Sequence, residues 1–475
     1  MKRPVRISQP LSLLPALSEA NIGSVQINPL KLGPHERNVP LPVAIIDKLA
    51  FGGNGVCRID GKVCFVPFSC PGDEVSLRIT AHKKSYCTAS IAEFLNSSPF
   101  RTVPECPIFG ACGGCSWQHI RYPAQLEQKK QILAETLWRG ARVPAELIDD
   151  VVAAANQYGY RNRLQFKVSA RNGILRIGFY RQGSHQVEDA SGGCPIAAPV
   201  INQVLNCCRA VLQSYPDVES ISQLSIDAGD SGLVVIIHHG GVVTSKNRAY
   251  FIDRSGDFGP CTGLFLKVDK QSSYEKLWGN AEISYRMNLA DPDKRPLELT
   301  YSPGGFAQVH QAQNLAMLSV IRRLGAFVPT EQLLDLYCGN GNFSLPLAAE
   351  VASVFGIEGN ADSIRAAEYN RELNKVANAR FFCDDVTAGV LRLIEEGRKF
   401  DTVLLDPPRS GAGDAVAGIV RLQPNKIIYV SCDPNTLARD CGLLSGCGYR
   451  VVTSVPIDMF PQTYHLESVT LLCRS

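Results

Sequence analysis

The sequence predicts an α/β fold with three folded parts. A seven-stranded, Rossmann-like doubly wound sheet is expected over residues 301–475. An OB-like β-barrel over residues 41–100 and a central α+β domain over residues 101–300 precede it. Two observations predict this. After residue 300, buried strand-like runs alternate with helical patterns, as in a mostly parallel sheet. Between Val43 and Leu95, short alternating apolar runs are separated by the turn signals GGNG, DG and PGD, as in a small barrel.

Composition bounds the function class. Hydrophobic residues make up 45% and charged residues 20% of the 475 positions, an ordinary globular balance. No run approaches the ~18 apolar residues of a membrane span. The opening MKRPVRISQPLSLLPALSEA has apolar patches broken by Pro and polar residues, so it does not read as a secretory signal. Residues 1–40 read as a loosely ordered arm. The 17 cysteines are odd in number and irregularly spread, which argues against a disulfide scaffold and for a reducing, cytoplasmic setting. With a formal charge of only +3, any nucleic-acid surface must be a local concentration of charge.

In the barrel, Lys83, Lys84 and an exposed-looking Tyr86 suggest an RNA-binding face, set against a purely structural barrel. In the central domain, YPAQLEQKKQILAETLWRG (122–140) has helical spacing, ends at Gly140 and is expected to pack on the C-terminal domain. RNRLQFKVSARNGILRIGFYR, from Arg161 to Arg181, carries six Lys or Arg and no acid. Tyr158, Tyr160, Phe166, Phe179 and Tyr180 lie in or beside it. Charge supplies backbone affinity and aromatics can stack unpaired bases, so this stretch is the expected RNA surface. Cys106, Cys112 and Cys115, with a distant Cys194, fit either a structural zinc or a [4Fe–4S] cluster. Softness alone does not separate the two. His119 reads as a supporting or solvated residue.

In the C-terminal sheet the first strand ends in LLDLYCGNGNFS. Gly339 and Gly341 permit a tight turn against a ligand, but Ser344 replaces the third glycine of a dinucleotide fingerprint. A smaller adenosine cofactor is expected. Glu358, nineteen residues after Gly339, suits ribose hydroxyls. Asp384 and Asp385 end the third strand, where a carboxylate can accept from an adenine amino group. The fourth strand ends in LLDPPRSGAG, with Arg409 where an aromatic would stack a target base for amine methylation. The fifth delivers Cys432 to the same edge, and Glu467 lies in the last strand. A thiol beside the cofactor suits a nucleophile, and a partly desolvated carboxylate suits a base.

GGFAQVHQAQN, LLDLYCGNGNFS, GIEGN, VLLDPPRSGAG, YVSCDP and HLESV together resemble the RNA uracil-C5 methyltransferase family, which uses S-adenosylmethionine on a class I methyltransferase domain. The resemblance implies Cys432 as the nucleophile adding to uracil C6 and Glu467 as the base that removes the C5 proton. It implies that Gln308, Tyr337, Asn342, Glu358, Asp385 and Asp406 contact the cofactor or the uracil. His310 departs from the pattern, where relatives carry Asn. Members similar to 23S rRNA uracil-5-methyltransferases share the cysteine spacing, bind [4Fe–4S] through it, and carry a barrel similar to this one, the TRAM domain. The resemblance therefore implies 23S rRNA as substrate and Cys106, Cys112, Cys115 and Cys194 as cluster ligands, in a monomer without membrane attachment. The alternatives are a tRNA uracil-5-methyltransferase and a catalytically silent RNA-binding module.

Overall fold

The computed structural model describes residues 41–268, 274–280, 282–287 and 295–475; the expected arm over residues 1–40 lies outside them. Six strands, Val43–Ile45, Lys48–Leu49, Gly55–Ile59, Lys62–Val66, Glu74–His82 and Tyr86–Asn96, form the first sheet. Its two edges are Val43–Ile45 and Lys48–Leu49, which are consecutive in the chain, so the sheet curls into a barrel. The core holds Cys57, Cys64 and Cys87 beside Ile46, Val66, Val75 and Leu77. Cys57 pairs across strands with Cys64, and Cys64 with Cys87. Burial pushes the Cys57 thiol up to about 11, so these cysteines act as small apolar residues. Lys83 and Lys84 are exposed, whereas Tyr86 is half-buried with its ring edge-on to Phe65.

The central region is built on a seven-stranded sheet. In spatial order its strands are Glu275–Gly279, Gly263–Val268, Gly232–His239, Ile221–Gly229, Arg163–Arg171, Ile174–Tyr180 and Val187–Asp189. Helix Pro199–Gln213 covers one face through Ile201, Val204, Leu205, Cys208 and Leu212. The basic stretch becomes the hairpin Arg163–Arg171/Ile174–Tyr180. Asn172 and Gly173 both take positive φ at its turn, as a two-residue hairpin loop requires. The expected row of stacking aromatics is mostly internal. Phe166 is fully buried against Phe179, and Tyr160 is buried and stacked on His310. Alternation along a strand sends every second residue inward, which leaves Tyr180 exposed.

The last sheet comprises β1 (Gln332–Leu336), β2 (Ser353–Glu358), β3 (Ala379–Cys383), β4 (Thr402–Leu405), β5 (Lys426–Ser431), β6 (Tyr449–Ile457) and β7 (Glu467–Arg474). The order is β3-β2-β1-β4-β5-β7-β6. β1 to β5 are parallel, and β7 runs antiparallel between β5 and β6. These strands read as continuous apolar runs because both faces are covered. Leu333, Leu334, Val354, Val403, Leu404, Ile427 and Ile428 are fully buried.

Helix Tyr122–Ala141 packs against helix Pro434–Ser445. It does not stop at Gly140. Arg142, with φ of 56°, caps it, and Gly140 lies inside, where an added Cβ would stand 2.7 Å from that of Ala438. The glycine permits close helix approach rather than ending the helix. Lys129 of the same helix is fully buried and donates to Asp458 Oδ1 at 2.5 Å and to the Phe460 carbonyl at 3.1 Å. Among the described residues no helix is long and apolar enough to cross a membrane.

Candidate active site

The candidate residues sit at the carboxyl ends of the parallel strands, where open α/β sheets carry their ligands. After β1, Tyr337 takes a left-handed φ of 62° and Gly339 and Gly341 follow with φ of 54° and 85°. A tyrosine held there is strained, which marks a turn fixed by its surroundings. The Tyr337 and Cys338 amides donate to the Ile357 carbonyl, tying the turn to β2. Below it Asp335 is buried and accepts from the Ser344 hydroxyl. Desolvation pushes its carboxyl up to about 7. Ser344, read as the missing third glycine, is thus a structural partner of β1.

Glu358, at the end of β2, receives the Gly339 amide at 3.3 Å and the Asn360 amide at 2.8 Å. Asp385 caps helix Val386–Glu395 by accepting from the Ala388 amide, while Asp384 pairs with Arg392 at 3.1 Å. Tyr337, Asp385 and Glu358 are within electrostatic reach of one another: burial, then the carboxylates of Asp385 and others including Glu358, raise the Tyr337 phenol to about 12. Asn342 is engaged in a reciprocal amide pair with Asn314, at 2.8 and 2.9 Å, and also accepts from the Tyr285 hydroxyl at 3.1 Å. Gln308 lines a small cavity with Tyr285 and Asn314, and its backbone carbonyl accepts from Asn162. Asn342 and Gln308 therefore gather around Tyr285 and Asn314, and Glu358 and Asp385 around Tyr337.

Cys432 directly follows β5, and the β5–β7 register ends with Ser431 opposite Ser468. Continued by one position, that register sets Cys432 opposite Glu467. Asp433 then caps helix Pro434–Ser445 through the Asn435 and Thr436 amides, so the thiol stands just before a helix N-terminus. Glu467 is buried and Cys432 half-buried. Desolvation pushes the Cys432 thiol up to about 12, with the carboxylates of Glu467 and Asp406 adding to the rise and Arg409 opposing it. Glu467 is raised well above the usual carboxylate range by burial and then by Asp406, and Arg409 again opposes. Burial raises Asp406 itself to about 7. Cys432, Glu467, Asp406 and Arg409 thus form one electrostatic group.

Sequence reasoning treated Arg409 only as a missing aromatic. Its place directly after Asp-Pro-Pro, in the loop facing Cys432, was the available signal. That loop is pinned from below: the Ala412 amide donates to Asp440 Oδ2 at 2.8 Å, and the Tyr429 hydroxyl donates to the same oxygen at 2.7 Å. Both reactive forms, thiolate and carboxylate, are deprotonated, and both groups are held above their ordinary values. Any reaction using both should therefore be slow in acid and speed up as pH rises towards the raised thiol. Arg409→Ala removes a cation that lowers both, so the acid limb of the kcat–pH profile is expected to move to higher pH, and Arg409→Lys to restore it. An unmoved limb would count against this electrostatic coupling.

Cys106, Cys112 and Cys115, joined by the distant Cys194, line one cavity of about 570 Å³. Ile108, Phe109, Phe179 and Ile196 contribute apolar walls, and Phe306 and Ala307 from the Gln308 loop close another side. Burial raises all four thiols, Cys112 to about 11 and Cys115 to about 12, and other cysteines of the set add to the rise at Cys112, Cys115 and Cys194. Among the described residues no group of three or more His, Cys, Asp or Glu is arranged to hold a metal ion. His119 faces away, its Nε2 3.1 Å from the Ser69 carbonyl of the barrel.

The fold and the residues at its carboxyl edge define an α/β methyltransferase. A family model described as tRNA (Uracil-5-)-methyltransferase matches residues 290–475, and one described as the TRAM domain of tRNA (uracil(54)-C(5))-methyltransferase matches residues 43–100. The 23S rRNA (uracil(1939)-C(5))-methyltransferase RlmD of Cronobacter sakazakii is 34% identical over 90% of this chain and 95% of its own. That of Photorhabdus laumondii is 33% identical over 93% and 99%. The crystal structure of Pyrococcus abyssi tRNA (uracil-54, C5)-methyltransferase with S-adenosyl-L-homocysteine superposes with a TM-score of 0.69 at 26% identity, covering 90% of this chain and 99% of that one. The chain belongs to the RNA uracil-C5 methyltransferase family, with an N-terminal TRAM domain.

Proposed function

We propose that this protein methylates C5 of a uridine in 23S rRNA, with S-adenosylmethionine supplying the methyl group. The observation that carries the chemistry is that Cys432 and Glu467, one position beyond the Ser431–Ser468 pair at the carboxyl edge of the sheet, are close enough for the carboxylate to raise the thiol. Cys432, as thiolate, adds its sulfur to C6 of the uracil and makes C5 an enolate carbon. That carbon takes the methyl group, releasing S-adenosylhomocysteine. Glu467 then accepts the C5 proton, the C5–C6 double bond re-forms, and the Cys432 sulfur leaves. A raised carboxyl is a stronger base for that proton, and Arg409 offsets charge on the thiolate. Asp406 belongs with the reacting uracil. Gln308, Tyr337, Asn342, Glu358 and Asp385 belong with the donor, with Asn342 acting through the loop it braces. The target base must leave its stack to reach Cys432.

Similarity to rRNA-modifying relatives over nine-tenths of the chain supports rRNA over tRNA. So does the four-cysteine cavity, which suits a [4Fe–4S] cluster held by Cys106, Cys112, Cys115 and Cys194. The donor set is all sulfur, and its walls are apolar. A cluster carries one iron per thiolate, so its ligands surround a cage instead of converging on a point. Burial, with neighbouring thiols adding to it at Cys112, Cys115 and Cys194, disfavours free thiolates here, and a cationic iron core would offset both. The cluster would supply a structural cross-link here, since the methylation consumes no electrons.

Radiolabelled S-adenosylmethionine with separate rRNA and tRNA pools tests the assignment. Label in 23S rRNA alone is expected. Label in tRNA would establish the alternative substrate, and label in neither would leave an RNA-binding module. About four iron and four sulfide per chain are expected from an anaerobic preparation; bound zinc without sulfide would overturn the cluster.

A further inference from the structure

The loop between β6 and β7 delivers Glu467, and it is held almost entirely by residues more than three hundred positions earlier. The Ser116 and Trp117 amides both donate to the Gln462 carbonyl, at 3.2 and 3.0 Å. The Tyr464 amide donates to Ser116 Oγ at 3.1 Å. Gln125, fully buried on helix Tyr122–Ala141, makes a reciprocal pair with Gln462. Its Nε2 donates to Gln462 Oε1, and its Oε1 accepts the Gln462 amide, both at 3.0 Å. Tyr160 donates to the Pro461 carbonyl at 3.0 Å. From the barrel, Phe51 meets the Tyr464 ring edge-on at 5.6 Å, and the Gly53 carbonyl accepts from Trp117 Nε1 at 3.1 Å. Gln462 itself sits at φ of 70°, a conformation a glutamine does not choose unaided.

Three parts of the chain that are distant in sequence therefore meet on five residues, 460–464, just before the carboxylate. We infer that Ser116, Gln125 and Gln462 form a clamp that positions Glu467 for the proton-removal step; this rests on the base role proposed for Glu467. The purpose of such a clamp follows from the chemistry. Forming the Cys432–C6 bond and transferring the methyl group need no base at C5. Breaking that bond does: the proton must pass to Glu467 so that the C5–H electron pair can rebuild the double bond and expel the sulfur. A loosened clamp should therefore slow release while leaving capture intact. Because Ser116 follows Cys115 directly, the clamp also starts at the wall of the cysteine cavity, which gives that cavity a bearing on catalysis without electron transfer.

The test uses Ser116→Ala, a half-exposed position that keeps its fold, together with Gln125→Leu, compared with Glu467→Gln. Each protein is incubated with S-adenosylmethionine and rRNA, then resolved under denaturing conditions to count covalent protein–RNA adduct alongside turnover. Glu467→Gln is expected to accumulate adduct; if it does not, the base assignment fails, and the clamp with it. Granted that adduct, the clamp variants should lose between about tenfold and about a hundredfold in kcat, the scale of a misplaced catalytic group. Their adduct fraction should rise severalfold, with RNA affinity unchanged. Native turnover in both variants, or adduct and turnover falling together as in a merely destabilised protein, would overturn the clamp.

Discussion

Cys432→Ala is expected to lose at least about 10⁴-fold in methyl transfer, equivalent to about 5.5 kcal/mol of transition-state stabilisation. The loss should be this deep because C5 of uracil is too weak a nucleophile without a sulfur on C6, and the other cysteines at the carboxyl ends of the strands, Cys338 after β1 and Cys383 on β3, lie two and four strands away from β5. Cys441, the next in the chain, is fully buried on helix Pro434–Ser445. S-adenosylmethionine affinity should be unchanged, because the turn after β1 and the ends of β2 and β3 do not involve residue 432. The variant should also remain folded, since the side chain is half-buried and alanine fits its space. Measuring single-turnover methylation and cofactor binding on one preparation separates these statements. Wild-type rates from the alanine variant would remove the covalent mechanism altogether.

Lys129→Met is expected to destabilise the protein by about 3–5 kcal/mol, the cost of leaving a buried partner charge uncompensated. Lys129 and Asp458 have side chains with no solvent exposure, so water cannot replace the lost ammonium. Methionine fills the same stem, which isolates charge from volume. Thermal melting should show a drop of several degrees, and Lys129→Met combined with Asp458→Leu should recover most of it by removing both charges. If the single variant melts like the native protein, the pair contributes little and helix Tyr122–Ala141 is held to the sheet by packing alone. Lys130, next to it, makes an exposed contact with Asp150, and Lys130→Met should leave the melting temperature essentially unchanged.

The contrast between those two lysines shows where sequence reading stops. β1 to β5 could be read directly, because strands covered on both faces are unbroken apolar runs that end in glycine or acid. Cys432 could be read from its place at such an end. The run Gln-Lys-Lys-Gln gives no sign that one lysine is internal, since its partner lies 329 positions away. Gly140 looked like a stop signal because helix termini favour glycine, and only the neighbouring helix reveals it as a contact point. Tyr160 and Phe166 looked like stacking residues among basic ones, yet strand alternation turns Phe166 inward, and Tyr160, ahead of the strand, is buried against His310. Asp440 went unread, and Arg409 was read only as a missing aromatic, because their partners come from other strands and loops of the sheet. The cysteines were legible as a set because thiols are rare enough for spacing to carry meaning.

β7 lies inside its sheet, with β5 on one side and β6 on the other. Until residues 467–474 have been made, β5 and β6 have no strand to join them, so during synthesis this half of the sheet closes last, with the segment that carries Glu467.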